Sequence, residues 1–167
     1  MDATSDSRLN LTIHFDLDGV LADFRRGFVE RIGERPEAFP VDEMWKRVAA
    51  VPRFFQQLPV MPGAHEMLSF AASIGTSRIL TAIPRLTTYP TATEEKHYWV
   101  RKNLGDIPVT VVRYARQKTE YAHPRAILVD DTSENVQRWI KAGGIGIIHV
   151  SAKETMFALQ NQLHSLM

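Results

Sequence analysis

Cysteine is absent from all 167 residues, which removes disulfides, thiol nucleophiles and cysteine-ligated zinc together and fits a reducing compartment. A basic excess is lacking too. Twenty Lys and Arg stand against nineteen Asp and Glu for a net charge of +1, and no basic run exceeds a pair such as Arg25-Arg26, so no nucleic-acid-binding surface is expected. No apolar run approaches the ~20 residues of a membrane span. The opening MDATSDSR is short and polar, unlike a secretory signal or an Arg-rich transit peptide. These absences lead to the expectation of a cytoplasmic protein with no membrane partner and a frayed N-terminal tail. Repeats and low-complexity segments are likewise missing. What is present is apolar material, 44% of the composition, enough at this length for the core of a single domain, 1–167, with a modest insertion.

The chain alternates strand-like and helix-like segments. LNLTIHF, residues 9–15, reads as a strand that stops at Asp16 and Asp18. Residues 20–33 carry apolar positions at helical spacing up to Gly33. Pro36, Pro40 and Pro52 then punctuate an aromatic stretch in which VDEMWKRVAAV is a short helix. From Gly63 onward the order is regular: AHEMLSFAASIG helix, SRILT strand, TATEEKHYWVRKNLG helix with Thr93 as its cap, and IPVTVVR strand. RAILVDD, SENVQRWIKAGG, GIGIIHV and KETMFALQNQLHSL continue the alternation. The pattern predicts an α/β fold, a Rossmann-like parallel sheet with helices on both faces. The core comprises 8–23 and 61–167, and a small helical cap of about 24–60 is inserted after the first strand.

In such sheets ligands sit beyond the carboxyl ends of the strands. Asp16 and Asp18 follow the first strand, Thr81 closes the second, the loop to Lys118 follows the third, and Asp130 and Asp131 close the fourth. Parallel strands would bring all of these to one cleft. Side chains two apart on an extended segment leave on the same side, and Gly19 lets the chain turn beneath a ligand.

Carboxylates crowded in one cleft repel, so a cation is needed among Asp16, Asp18, Asp130 and Asp131. Oxygen ligands without His or Cys favour Mg²⁺. With that ion and the Lys118 ammonium neutralising phosphate oxygens, Asp16 can attack phosphorus and form an aspartyl-phosphate. Asp18 would protonate the leaving alcohol and then deprotonate the hydrolytic water. Thr81, with the backbone N–H groups beside it at Ala82, would bind phosphate.

Taken singly, each residue has a plainer reading. An Asp-x-Asp after a strand is commonly a turn, the Asp130-Asp131 pair could cap the helix that follows, Thr81 could be a strand residue and Lys118 a solvated one. An EF-hand loop fails at its fifth and twelfth positions. The four features in this order at strand ends are poorly explained by the plain readings.

FDLDGVL with Thr81, Lys118 and the Asp130-Asp131 pair resembles the four motifs of the haloacid-dehalogenase-like phosphatases. Within them, DGVLADF, the stretch MWKRVAAVPRFFQQLPVMPGA, EEKHYWV and RQK are most similar to the 5′(3′)-deoxyribonucleotidases, over roughly residues 11–131. The resemblance implies a fold of that type, Mg²⁺ dependence, and release of phosphate from 5′- or 3′-deoxyribonucleoside monophosphates with a pyrimidine preference. It also implies that Phe24 and Trp45 line a pocket in which a base stacks. For Phe54 and Phe55 core packing is the preferred reading, as it is for Trp99 and His14, while Arg25 and Arg26 read as a solvated face. A homodimer enters by analogy only.

The chain departs from the family pattern in Thr81-Ala82, where the deoxyribonucleotidases have Thr-Ser, in Thr132, where an Arg is common, and in a shorter insertion before Trp45. These leave two rival readings. One is a phosphatase for another small phosphate ester. The other is a non-catalytic receiver-like module, against which chain order argues, because a receiver has its acid pair early and its phosphorylated Asp mid-chain.

Overall fold

The structure is a computed structural model that describes residues 10–85 and 87–166. The expectation of a frayed N-terminal tail falls outside the described residues. In chain order the elements are β1 (Thr12–Phe15), α1 (Phe24–Ile32), α2 (Val41–Ala50), α3 (Ala64–Ile74), β2 (Thr76–Ala82) and α4 (Ala92–Leu104). They continue with β3 (Val109–Val112), β4 (Ala126–Asp130), α5 (Ser133–Lys141), β5 (Ile145–Ile148) and α6 (Ala152–Leu166).

The strands form one sheet in the order β3-β2-β1-β4-β5, parallel at every pairing. The chain steps from β1 outward to β3, then returns across β1 to build β4 and β5. The carboxyl ends of β1, β2 and β4 therefore meet where that direction reverses, the place where open parallel sheets form a crevice. The expected α/β parallel sheet is the observed one.

Alternation along the strands sends successive residues to opposite faces. Ile13, Phe15, Ile79, Ile127 and Val129 belong to the larger apolar cluster, together with Met67 and Ala71 of α3, Trp99 of α4 and Leu159 of α6. Leu80, Leu128 and Ala126 face the other way, into a smaller cluster with Trp139 of α5. Helices thus cover both faces, which explains why β4 is buried over its whole length. Among the described residues no helix is long and apolar enough to cross a membrane.

Three local expectations differ from what is observed. First, α1 begins at Phe24, not at Val20. The Leu17 carbonyl accepts from the amides of both Leu21 and Ala22 at 2.9 Å, and Gly19 sits at φ +81°, so residues 17–22 curl into a tight turn. Val20, Leu21 and Ala22 are fully buried; their apolar spacing records core packing rather than a helix face. Asp23 then caps α1 by accepting from the Arg26 amide at 3.0 Å. Second, the N-cap of α4 is Thr91 rather than Thr93, and the Thr91 hydroxyl donates to Glu95 at 2.7 Å. Third, β1 is shorter than the expected 9–15, starting at Thr12.

The two ends of the segment between β1 and α3 lie side by side. The Asp23 amide donates to the Pro59 carbonyl and the Met61 amide to the Leu21 carbonyl, both at 2.8 Å. Phe28, Val48, Phe54, Phe55 and Leu58 of this segment join the larger cluster, so it has no separate core.

His14 packs from the middle of β1 against Trp139 and Tyr121, with ring centroids 5.4 and 6.2 Å away. Burial, with the nearby Arg78 and His123 charges, lowers its pKa to about 4. The native state therefore binds fewer protons than the unfolded chain between that value and the ordinary 6.5, and stability falls as pH drops through this window. Urea unfolding of wild type and His14→Phe is expected to diverge over it, the wild type losing up to ~3 kcal/mol more than the variant between pH 7 and 4.

Candidate active site

β1 delivers Asp16 to the crevice with its carboxylate already engaged. Asp16 Oδ1 accepts from the Leu17 amide at 2.8 Å and lies 3.0 Å from Lys118 Nζ. Lys118, on a 3₁₀ turn spanning Ala115–Tyr121, is buried, and its ammonium also reaches Asp130 Oδ2 at 2.7 Å. Burial alone would lower this lysine, but Asp16 and Asp130 outweigh it and hold the ammonium above its ordinary range.

Asp130, the last residue of β4, is fully buried. It accepts from the Thr132 amide at 2.9 Å and from Asn135 Nδ2 at 3.1 Å in addition to Lys118. Asp131 instead faces the cavity. Oxygens of Asp16, Asp130 and Asp131 all lie within 4.8 Å of one another. Desolvation in the cavity wall, and next the charges of Asp16 and Asp130, push Asp131 up to about 6. Such crowding of hard oxygen donors without nitrogen or sulfur suits a divalent cation of the Mg²⁺ type. Gly19 makes the crowding feasible, since a Cβ there would stand 2.0 Å from Asp131 Oδ2.

Asp18 lies outside that trio. Its Oδ2 accepts from Lys96 Nζ at 2.5 Å, and its Oδ1 is buried without a hydrogen-bond partner. Burial pushes the Asp18 carboxyl above its usual range; Lys96 opposes the rise and Asp16 adds to it. Lys96 also donates to Thr81 Oγ1 at 3.0 Å and to the Ala82 carbonyl at 2.8 Å. Thr81 is thus a buried residue tied to Lys96, while Ala82 lines the cavity.

The cavity measures about 900 Å³. Asp16, Asp18 and Asp131 line it together with Phe24 and Trp45, whose ring centroids are 5.7 Å apart at 61°. Both aromatics are half-buried. Phe54 and Phe55 are fully buried and belong to the core, as expected. Arg26 pairs with Glu30 on the surface. Arg25 pairs with Glu37 at 3.4 Å and also lines the cavity, a position beyond the solvated face expected of it. Thr132 is the N-cap of α5 and reaches the cavity edge.

Sequence reasoning missed Lys96, Glu95 and Asn135. A signal for the first two was present. Ala92, Glu95, Lys96, Trp99 and Val100 are the buried residues of α4, at intervals of three and four, so the stripe that placed Trp99 inside also placed the two charges inside.

Comparison with known proteins gives consistent matches. The family model described as 5′ nucleotidase, deoxy (pyrimidine), cytosolic type C protein matches residues 10–162. The cytosolic 5′(3′)-deoxyribonucleotidase of Homo sapiens is 30% identical over 138 residues, covering 70% of this chain and 68% of that protein. Its mitochondrial counterpart is 27% identical over 143 residues, covering 72% and 62%. Among solved structures, the L-2-haloacid dehalogenase of Xanthobacter autotrophicus superposes with a TM-score of 0.51 at 11% identity, covering 83% of this chain and 76% of that one. At that identity the fold is what the two share.

A divalent cation held by the carboxylate trio would compete with the proton on Asp131 below about pH 6. Calorimetric titration is expected to show affinity falling as pH drops below about 6, by up to ~10-fold per pH unit. Gly19→Ala, which displaces Asp131, is expected to weaken binding by ~10-fold or more at pH 7.5.

Proposed function

The chain belongs to the family of 5′ nucleotidase, deoxy (pyrimidine), cytosolic type C proteins, within the haloacid-dehalogenase-like superfamily, and from that premise we propose a Mg²⁺-dependent phosphomonoesterase for deoxyribonucleoside monophosphates. It is a phosphoric monoester hydrolase. The observation that carries the finer reading is the placement of one engaged carboxylate, Asp16, and one lysine-held carboxylate, Asp18, on a cavity whose wall carries Phe24 and Trp45.

Asp16, Asp130 and Asp131 are the residues that would hold the ion, with Asp18 beside them. Mg²⁺ bound there supplies positive charge to the phosphate oxygens. Asp16 attacks phosphorus; with Oδ1 occupied by the Leu17 amide and Lys118, Oδ2 is the attacking oxygen. A phosphorus–oxygen bond forms at Asp16, the ester bond breaks, and Asp18 gives its proton to the departing alkoxide. Water then attacks the phospho-aspartate, Asp18 takes its proton, and Asp16 is released. The raised pKa of Asp18 suits a group that must begin this cycle protonated. Lys118 balances charge on the phosphate side of Asp16, the Ala82 backbone offers a phosphate contact, and the buried Thr81 hydroxyl supports that strand end.

Segment 24–60 acts in this reading as a cap that carries the base-stacking wall. Its shortness leaves a wide cavity, compatible with a pyrimidine and with phosphate at either the 5′ or the 3′ position.

Asp16→Asn is expected to lower phosphate release from dUMP and dTMP by at least ~10³-fold; retained turnover would remove Asp16 as nucleophile. Trp45→Ala is expected to raise KM for these nucleotides by roughly 5- to 100-fold, the range of one lost stacking contact. Little effect on KM, or a sugar phosphate hydrolysed faster than every nucleotide, would overturn the nucleotide reading and leave a phosphatase for another small ester.

A further inference from the structure

Lys96 is a cation with less than 2% of its surface exposed, sunk into the apolar face of α4 beneath the cavity. Burying an ammonium is costly unless its protons are all used. Here they are: one goes to Asp18 Oδ2 at 2.5 Å, one to Thr81 Oγ1 at 3.0 Å and one to the Ala82 carbonyl at 2.8 Å. The Phe55 ring lies under the same nitrogen at 4.8 Å. Lys118, by contrast, spends itself on Asp16 and Asp130.

The two lysines divide the carboxylates between them. Asp18 has a buried Oδ1 without a partner, so Lys96 is what fixes the rotation of its carboxyl group. We propose that Lys96 is the positioning residue for Asp18: it sets the carboxyl at the leaving-group side of the cavity and ties it to the end of β2 in one rigid unit. This inference rests on the acid/base role given to Asp18 above.

The position of Lys96 is itself fixed by its neighbour. Glu95, also buried, accepts from the Tyr89 hydroxyl at 2.8 Å, the Phe55 amide at 3.1 Å and the Thr91 hydroxyl at 2.7 Å. The Phe54 amide donates to the same Tyr89 oxygen at 2.9 Å. The first turn of α4 therefore holds the Phe54-Phe55 backbone with Glu95 and the Asp18 carboxyl with Lys96.

Leaving-group dependence separates positioning of an acid from a general structural role. kcat/KM reports the steps up to departure of the leaving group, and a nitrophenolate departs without a proton whereas a nucleoside alkoxide needs one. For Lys96→Met, kcat/KM on dTMP is expected to fall by ~10²-fold or more, and on p-nitrophenyl phosphate by at least ~10-fold less. In an Asp18→Asn background the same substitution should add little further loss on dTMP, since it acts through a group already removed. Equal losses on both esters, or losses that multiply with Asp18→Asn, overturn the proposal. Should Lys96→Met lose its fold by circular dichroism, Lys96→Gln, which keeps a donor, carries the same comparison. Wild type inactive on both esters would instead refute the phosphatase reading itself.

Discussion

Charge balance among carboxylates crowded at one end of the sheet is the constraint on which this molecule turns. Asp16, Asp130 and Asp131 bring oxygens within 4.8 Å of one another, and Asp18 lies close enough to raise Asp131 further. Unit charges at such separations repel by several kcal/mol even at an effective dielectric of ~20. Two buried lysines answer part of this, Lys118 between Asp16 and Asp130 and Lys96 against Asp18. Asp131 has no such partner in either lysine, and desolvation, followed by the charges of Asp16 and Asp130, pushes its pKa up to about 6. A divalent cation is the species that would complete the balance.

The fold supplies that concentration of charge at the reversal point of the sheet. β1 is central, and the carboxyl ends of its neighbours β2 and β4 stand on either side, so three strand ends deliver Asp16, Ala82 and Asp130 to one crevice. The turn 17–22 then does two things at once. It buries Val20, Leu21 and Ala22 in the core, and through Gly19 it brings backbone against Asp131 where any side chain would collide.

Most of this was legible in the sequence because its signals are local. Strand-then-acid patterns marked Asp16, Asp18, Asp130 and Asp131, and the alternation of strands and helices implied that they converge. Local patterning failed where one apolar spacing serves two structures. Val20, Leu21 and Phe24 read as one helix face, whereas the first two belong to a buried turn and only the third to α1. It failed again at Lys96, because a lysine on an apolar helix stripe looks like an interruption until the carboxylate that compensates it, 78 positions earlier, is seen beside it. Asn135 was hidden for the same reason: its partner Asp130 is near in sequence, but the buried carboxylate that makes an amide useful there is visible only in three dimensions.

The aromatic residues of the insertion show how the cavity wall and Asp18 come to share a support. Phe24 meets Trp45 on the cavity side and Phe54 on the core side, with centroids at 5.7 and 5.5 Å. Phe54 meets Phe55 at 5.5 Å, and Phe55 meets Tyr89 at 5.1 Å. The rings thus run as a chain of edge-on contacts from cavity wall to the first turn of α4, where Glu95 holds their backbone and Lys96 holds Asp18. An insertion with a core of its own could shift as a rigid body without disturbing the chemistry. This one shares its core with the sheet and its anchor on α4 with Asp18, so Phe54 and Phe55 pack between the cavity wall and the helix that holds Asp18.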